Sequence, residues 1–488
     1  MPEPAKLRFD CLVIGGGPAG SVLAGTLAQW GKSVALVDRG DRHAVFPEET
    51  LVPGATAALQ RVGAMASIRA HRFWGTDRHG ILWGNDRIEW RKSDDSTRGY
   101  KVERDVFDRD LRAIAKGMGA QVFDRHIVRG RLPIDAEAPL RLCGPDGSER
   151  PIAATVVVVA GGKSVSPHLL DLELVQQLPQ TTALGCIADA AGAFENATVV
   201  EAVGAGWLWW LPLRTGQVSI ALFADTDEIR RTGAEALFRE ALASSAGPAK
   251  DSSLRPAFGL QATPRLVRNP RGVLLIGDAA SSIDPLSSQG IEKAISSAEQ
   301  AAVAVNTVIE KPDLTDIVLR HHQAFEAGVF RSHAGEALGH YHLERRFADR
   351  PFWQKRHNAG AAARSIASPS LPEFVVASPK LERRDTMRRK GRLFERVAGF
   401  ALNDDERVLE ALGVVPLEPV FRLLRHAPRV ERFLELAARE ADFALANRRL
   451  ITEALTRLLE LGMIAPKHGF VRDESRGRED DLPKNPGP

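Results

Sequence analysis

The chain opens with an apolar run, Phe9–Ile14, then a cluster of small residues, Gly15–Gly20. Residues Ser21–Trp30 follow with helical spacing, and Ser33–Val37 is a second apolar run. Short apolar runs bounded by glycine read as buried strands, so the opening predicts strand, turn, helix, strand. A helix is predicted at Gly54–Val62, and alternating residues with several tryptophans from Arg72 to Arg91 predict strands. Phe107, Leu111 and Ile114 share one face of a helix over Asp105–Gly117. Val156–Val159, four β-branched residues in a row, predicts a strand covered on both sides. Strands are expected across Ala183–Phe223, another buried strand at Val273–Ile276, and a long helix over Gly290–Ile309.

After Thr315 the chain turns Arg-, Ala- and Leu-rich with helical periodicity, and the prolines and serines of Ser368–Pro379 mark a boundary. Short amphipathic helices are predicted at Asp404–Leu412, Val420–Arg425, Arg429–Ala441 and Arg449–Leu461. Gly462-Met-Ile-Ala-Pro then leads towards a two-stranded wing ending at Phe470–Val471, and a charged tail expected to be disordered. No internal repeat is present.

Composition narrows the classes. With 488 residues, 44% hydrophobic and 26% charged, the chain reads as a soluble protein of more than one domain. A net charge of +3 supplies no global field for nucleic acid or a membrane, and no run approaches the ~18–20 uncharged apolar residues of a spanning helix. Lys380–Arg396 carries eight basic against three acidic residues; it reads first as a solvated helix face, second as a surface for an acidic partner. Cys11, Cys143 and Cys186 are scattered, so neither a disulfide framework nor a cysteine metal site follows, and the N-terminus carries no signal pattern. A cytoplasmic home is expected.

Chemistry enters at Gly15-Gly-Gly17-Pro-Ala19-Gly20, between a strand and a helix. A dinucleotide pyrophosphate needs glycine here, because the backbone must turn tightly and bring the helix N-terminus close to the ligand. Asp38 ends the next strand, 18 residues beyond Gly20, where a carboxylate can hold a ribose hydroxyl. A second constellation, Gly277-Asp278, continues through Asp284-Pro285-Leu-Ser-Ser-Gln289-Gly290 into a helix. Asp278 at a strand end can meet a cofactor hydroxyl or cap a helix, and Gly290 opens a helix whose free N–H groups can face an electron-rich ring.

With Val102-Glu-Arg104-Asp-Val-Phe107 added, these motifs resemble the FAD-dependent monooxygenases of the para-hydroxybenzoate hydroxylase type over residues 8–330. The resemblance implies an α/β fold. A Rossmann-like FAD-binding domain would be built from residues 1–75, 98–175 and 260–330, with a β-rich substrate domain inserted as 76–97 and 176–259. A helical segment and linker (331–378), a helical, winged-helix-like C-terminal domain (379–475) and a tail (476–488) complete it. It also implies that FAD is held by Gly15, Gly17, Ala19, Gly20, Asp38, Arg39, Arg104 and Asp278, with Pro285, Gln289, Gly290 and Ile291 beside the flavin ring.

Trp207-Leu-Trp209-Trp210-Leu-Pro212 resembles the WxWxIP motif of the tryptophan halogenase branch, as do Tyr341–Phe347 and Pro351-Phe-Trp353-Gln. Trp207, Trp209 and Trp210 are thus substrate-site candidates, or strand residues packed beneath the flavin domain. A halogenase needs a lysine amine after the first helix, yet no lysine lies between Pro47 and Arg91; Arg78 and His79 stand there instead. Arginine cannot replace that amine. Lys163, at the second glycine-ended strand, reads as structural. Glu49-Thr-Leu-Val-Pro53, Asp284–Gly290 and Pro351-Phe-Trp-Gln resemble instead the flavoproteins that mature tryptophylquinones, including that of quinohemoprotein amine dehydrogenase.

The implied activity is hydroxylation of a tryptophan side chain within a precursor polypeptide, a tryptophan-bearing amine dehydrogenase subunit, through a flavin C4a-hydroperoxide. O2 would be the co-substrate, and electrons would come from NAD(P)H directly or through a flavin reductase. Glu49, His71 and His79 are candidates for proton handling, and each also reads as a hydrogen-bonding or surface residue. No metal site, membrane or nucleic-acid partner is expected. Alternatives are a halogenase or hydroxylase of a small aromatic, a polyprenyl reductase, or a flavin-bearing, DNA-binding redox regulator.

Overall fold

The computed structural model describes residues 6–40, 48–66, 75, 78–92, 100–132, 140–165, 167–189, 197–213, 215–247, 254–364, 371–403 and 407–467. The chain divides into two compact units, one of residues 1–365 with 387–395, the other of residues 366–386 with 396–488.

The first unit is built on five parallel strands in the order Gln121–Asp124, Val34–Asp38, Leu7–Ile14, Glu149–Val159 and Val273–Leu275. The strand alternation separates two cores. Cys11, Val13, Val156 and Val158 pack against helices Pro18–Gln29, Arg104–Gly117 and Gly290–Glu310, whereas Leu12, Val157 and Val159 face Leu142, Leu169 and Leu170. The Val156–Val159 run is β-branched throughout because both of its faces are covered.

A second, seven-stranded sheet runs Phe258–Gln261, Thr181–Asp189, Gln217–Asp225, Gly206–Pro212, Ala197–Val203, Arg78–Leu82 and Glu89–Lys92. One face packs on helix Ala234–Ser244 through Leu237, Phe238, Ala241 and Leu242. The other collects Trp207, Phe223, Tyr341, Phe352 and Trp353, the last three from helices Thr315–Leu343 and Pro351–Arg364. Strands Glu48–Leu51 and Tyr100–Glu103 form a separate antiparallel pair. Among the described residues no helix is long and apolar enough to cross a membrane.

The second unit has its own core of Val375, Leu417, Val420, Phe421, Phe433, Leu455 and Leu458, from helices Leu417–Leu424, Val430–Ala437 and Arg448–Glu460. Two expectations are corrected here. The basic run is not a helix face but the hairpin Leu381–Lys390 and Leu393–Leu402, turning at Gly391 with φ of 63°. Within the expected helix Asp404–Leu412, Ala411–Leu412 is a short strand paired with Val415–Pro416. Strand Ile464–Pro466 pairs with Val375–Ala377, and the expected wing end at Phe470–Val471 lies outside the described residues.

Candidate functional site

The glycine loop divides its labour residue by residue. Gly15 has φ of 114°, and a Cβ there would stand 2.5 Å from the Ala160 carbonyl oxygen, so the strand end and the loop touch directly. A Cβ on Gly20 would collide with the Gly15 carbonyl oxygen, which closes helix Pro18–Gln29 onto the strand. Gly17 differs: its backbone is extended and a Cβ would meet nothing within 4 Å. It is the N-cap of that helix, without a side-chain cap, so the first N–H groups open onto that free space. Asp38 secures the loop, accepting the Gly16 N–H through Oδ2 (2.7 Å) and the Gly40 N–H through Oδ1 (2.9 Å). Arg39 beside it is exposed.

Opposite, Gly277 has φ of 59° and packs on Ala19, where a Cβ would lie 2.9 Å from the Ala19 Cβ. Asp278, half-buried, has a carboxylate with no hydrogen-bond partner among the described residues. Asp284 is buried, accepts the Leu286 N–H (3.0 Å) and sits 3.1 Å from the Tyr341 hydroxyl through both oxygens. Burial pushes its pKa up, against the pull of that N–H, Arg356, Tyr341 and Lys163. Pro285, Gln289 and Gly290 are partly exposed, Gln289 being the uncapped N-cap of helix Gly290–Glu310. Ile291 points into the core, which leaves its backbone N–H as its contribution to the loop.

Arg104 opens its helix directly after strand Tyr100–Glu103, which pairs Val102 with Glu49. Its guanidinium donates to Glu49 (2.6 Å) and to Asp108 (3.0 Å). Burial works against the charge, but the two carboxylates more than offset it and raise the pKa above the ordinary guanidinium value. Lys163, from turn Gly162–Ser164, packs near turn Gly277–Ala279 and lies 3.5 Å from the Gln261 carbonyl oxygen. Burial lowers its pKa, while Asp278, Asp284 and Glu49 all act to raise it. One amine therefore sits within the fields of the three acidic segments.

These parts fit a flavin dinucleotide: an open anion cradle at Gly17, a carboxylate at each strand end and an uncapped helix N-terminus near the second. The family described as "FAD binding domain" matches residues 8–317. The chain belongs to this family. A tryptophan 2-halogenase of Chondromyces crocatus is 29% identical over 63% of this chain and 62% of its own length, so the match spans less than two thirds of that relative. Among solved structures, a peptidyl tryptophan dihydroxylase essential for tryptophylquinone cofactor biogenesis, QhpG, superposes with a TM-score of 0.69 at 22% identity, covering 93% of this chain and 99% of its own. The flavin-dependent halogenase CmlS gives 0.71 at 21% identity, covering 94% and 96%.

In this FAD-binding protein the sequence-selected tryptophans do not share one place. Trp207 is buried, stacked on Phe223 at 3.9 Å, and its indole N–H donates to the Tyr341 hydroxyl (3.1 Å). Trp209 shares that face of the sheet and is half-buried. Trp210 is buried on the opposite face and donates to Glu201 (3.2 Å), so it cannot line a site with Trp209. Trp83 joins the first face, 5.9 Å from Tyr341 and 5.2 Å from Trp353.

Of the proton-handling candidates, Glu49 is committed to Arg104, and His71 lies outside the described residues. His79 is half-buried, its pKa lowered first by burial and then by the charge of Lys101. That lysine lies beyond the lysine-free stretch Pro47–Arg91. Lys101 is 2% exposed and donates to Thr50 (2.8 Å), its cross-strand partner, and to Thr198 (2.7 Å) of strand Ala197–Val203. Burial pulls its pKa down to about 7 against the opposing field of Glu48. Nothing in the sequence marks it: beside Val102, which is fully buried, a period of two sends Lys101 to the other face of the strand, where a lysine reads as solvent-facing.

Proposed function

We propose that the chain is an FAD-dependent monooxygenase that hydroxylates a tryptophan side chain in a polypeptide, within the biogenesis of a tryptophylquinone cofactor such as cysteine tryptophylquinone. The observation that carries the reading is the aromatic face tied to the cofactor loop. Trp207 donates to Tyr341, and Tyr341 to Asp284, whose next residues, Pro285–Gly290, lead to the helix N-terminus. Bound FAD, once reduced, supplies activation of O2 for oxygen transfer to an electron-rich carbon. The chain's own residues do the rest. Trp83 and Trp209 offer a partly open aromatic wall against which an indole can stack, and the packed Trp207, Phe223 and Trp353 behind them exclude water. Burial raises the Tyr341 pKa well above 10, so its hydroxyl stays protonated and keeps donating to Asp284. The likeness to the peptidyl tryptophan dihydroxylase over 99% of that chain supports a polypeptide rather than a free amino acid as substrate.

A second reading, halogenation of a small aromatic, is favoured by one specific observation: Lys101 supplies a near-neutral amine close to His79, where the residue 47–91 segment supplies none. Intact-mass spectrometry separates the two. The reduced holoprotein receives O2, halide, free tryptophan and a tryptophan-bearing amine dehydrogenase subunit precursor together. Mass gains of one or two oxygens on the polypeptide support the first reading; a halogen isotope pattern on free tryptophan replaces it with the second.

A further inference from the structure

Beneath the Gly277-Asp278 turn lies an ion pair that the cofactor motifs do not mention. Lys293, from helix Gly290–Glu310, and Glu326, from helix Thr315–Leu343, meet at 3.0 Å with side chains 2% and 1% exposed. Such a pair is poor evidence for stability, since well-packed apolar residues often replace one at little cost. Its hydrogen bonds are more telling. The Lys293 ammonium donates to the Gly277 carbonyl (2.8 Å) and the Ser281 carbonyl (2.7 Å), and with Glu326 all three of its donors are used. Glu326 accepts from the Ser281 hydroxyl (2.6 Å) and from the Ser297 hydroxyl, and Ser297 in turn accepts the Gly277 N–H (2.9 Å). Two residues before Gly277 in the same segment, the Leu275 carbonyl lies 2.8 Å from His322 Nε2.

The bonds that leave the two helices end on Leu275, Gly277 and Ser281, the segment around one residue, Asp278. Both sides of the turn are held, and the carboxylate between them, in the fields of Lys163 and Arg265, has no hydrogen-bond partner among the described residues. On the remaining side Gly277 is pressed against Ala19 of the pyrophosphate helix. Burial opposes the Glu326 charge, yet Lys293, His322 and the two serines together hold its pKa below the usual carboxylate value, so the carboxylate stays ionised.

We propose that Lys293 and Glu326 are positioning residues for Asp278: a buried ion pair, drawn from two helices, that aims a carboxylate free of hydrogen bonds to the described residues at the hydroxyl-bearing chain of the flavin cofactor. The inference rests on the assignment of Asp278 to FAD. Neither residue touches the ligand; both act through the turn.

The test compares apo-protein melting with FAD affinity, measured by titrating flavin fluorescence and visible circular dichroism. The double variant Lys293→Met/Glu326→Leu removes the pair without leaving a lone buried charge, so its apo melting temperature is expected within about 5 °C of wild type. Its FAD Kd is expected to rise about tenfold or more, and the flavin dichroism to change. Adding Asp278→Asn to the double variant should weaken binding little further, although Asp278→Asn alone weakens it about tenfold, because the two changes remove one interaction. Unchanged FAD affinity in the double variant, or full additivity with Asp278→Asn, overturns the proposal. Should the double variant fail to fold, Ser281→Ala is read instead: it removes one bond of the cluster, and an unchanged FAD Kd and dichroism there overturn the proposal too. A wild-type chain that takes up no FAD overturns the cofactor assignment and this inference together, whereas wild-type uptake with an unaffected double variant overturns the inference alone.

Discussion

Burial acts strongly on Lys101, and its titration has a definite sign. Its folded pKa, about 7, lies below the ordinary lysine value of 10.5. Between those values the unfolded chain binds the extra proton, so stability rises with pH across the window; below about 7 both states are charged and the burial penalty is complete. The stability of wild type minus that of Lys101→Met is therefore expected to increase by a few kcal/mol from pH 7 to pH 10. A pH-independent difference in urea midpoints would show that the amine is solvated in the native state. Such a residue was illegible beforehand because its partner Thr198 lies 97 positions away. Asp38 and Asp278 were legible because their spacing from the glycines is local. Trp207, Trp209 and Trp210 stand together as candidates in the sequence, but a strand's period of two separates Trp210 from the other two, as the two faces show. Asp38→Ala should raise the FAD Kd about tenfold or more, since the carboxylate holds two backbone N–H groups of the cofactor loop region; unchanged flavin occupancy after gel filtration would count against it.

At the scale of the element, the loop Gly15–Gly20 makes two glycines of one motif answer differently to the same change. Gly17→Ala puts a methyl into open space at an ordinary backbone conformation, so the apo-protein should melt as wild type does. The same methyl occupies the ground in front of the helix N-terminus, and FAD affinity should fall about tenfold or more. Gly20→Ala drives a methyl into the Gly15 carbonyl and should destabilise the apo-protein by about 1–3 kcal/mol or more, with or without FAD. Equal effects of the two changes on apo melting would mean that the cradle is not open as described. This element was readable because strand, turn and helix are contiguous. The hairpin Leu381–Leu402 was not: its seven basic residues mask the alternation, and it takes its shape from a turn at Gly391 and from cross-strand partners that periodicity alone does not name.

For the whole molecule, the boundary expected near residue 378 has a more particular form. Helix Pro351–Arg364 belongs to the first unit, and so does the hairpin tip, residues 387–395. Met387 and Phe394 are buried in that unit's helical core, the Phe394 N–H donates to Thr307 (2.8 Å), and Asn306 donates to the Arg392 carbonyl (2.7 Å). Cutting the chain after Ser365 therefore removes part of the FAD-binding unit's own packing along with the second unit. Phe394→Ala in the full chain is expected to cost about 3–5 kcal/mol in the unfolding of the first unit, leaving FAD affinity near wild type in the folded protein. If the second unit docks a polypeptide substrate, the truncated chain loses polypeptide turnover while Phe394→Ala keeps it at a temperature where both are folded. Equal losses in the two would assign the effect of truncation to the missing tip and leave the second unit without a docking role. A full-chain Phe394→Ala protein that melts like wild type would show instead that the tip carries no stability, and turnover lost on truncation would then belong to the second unit alone.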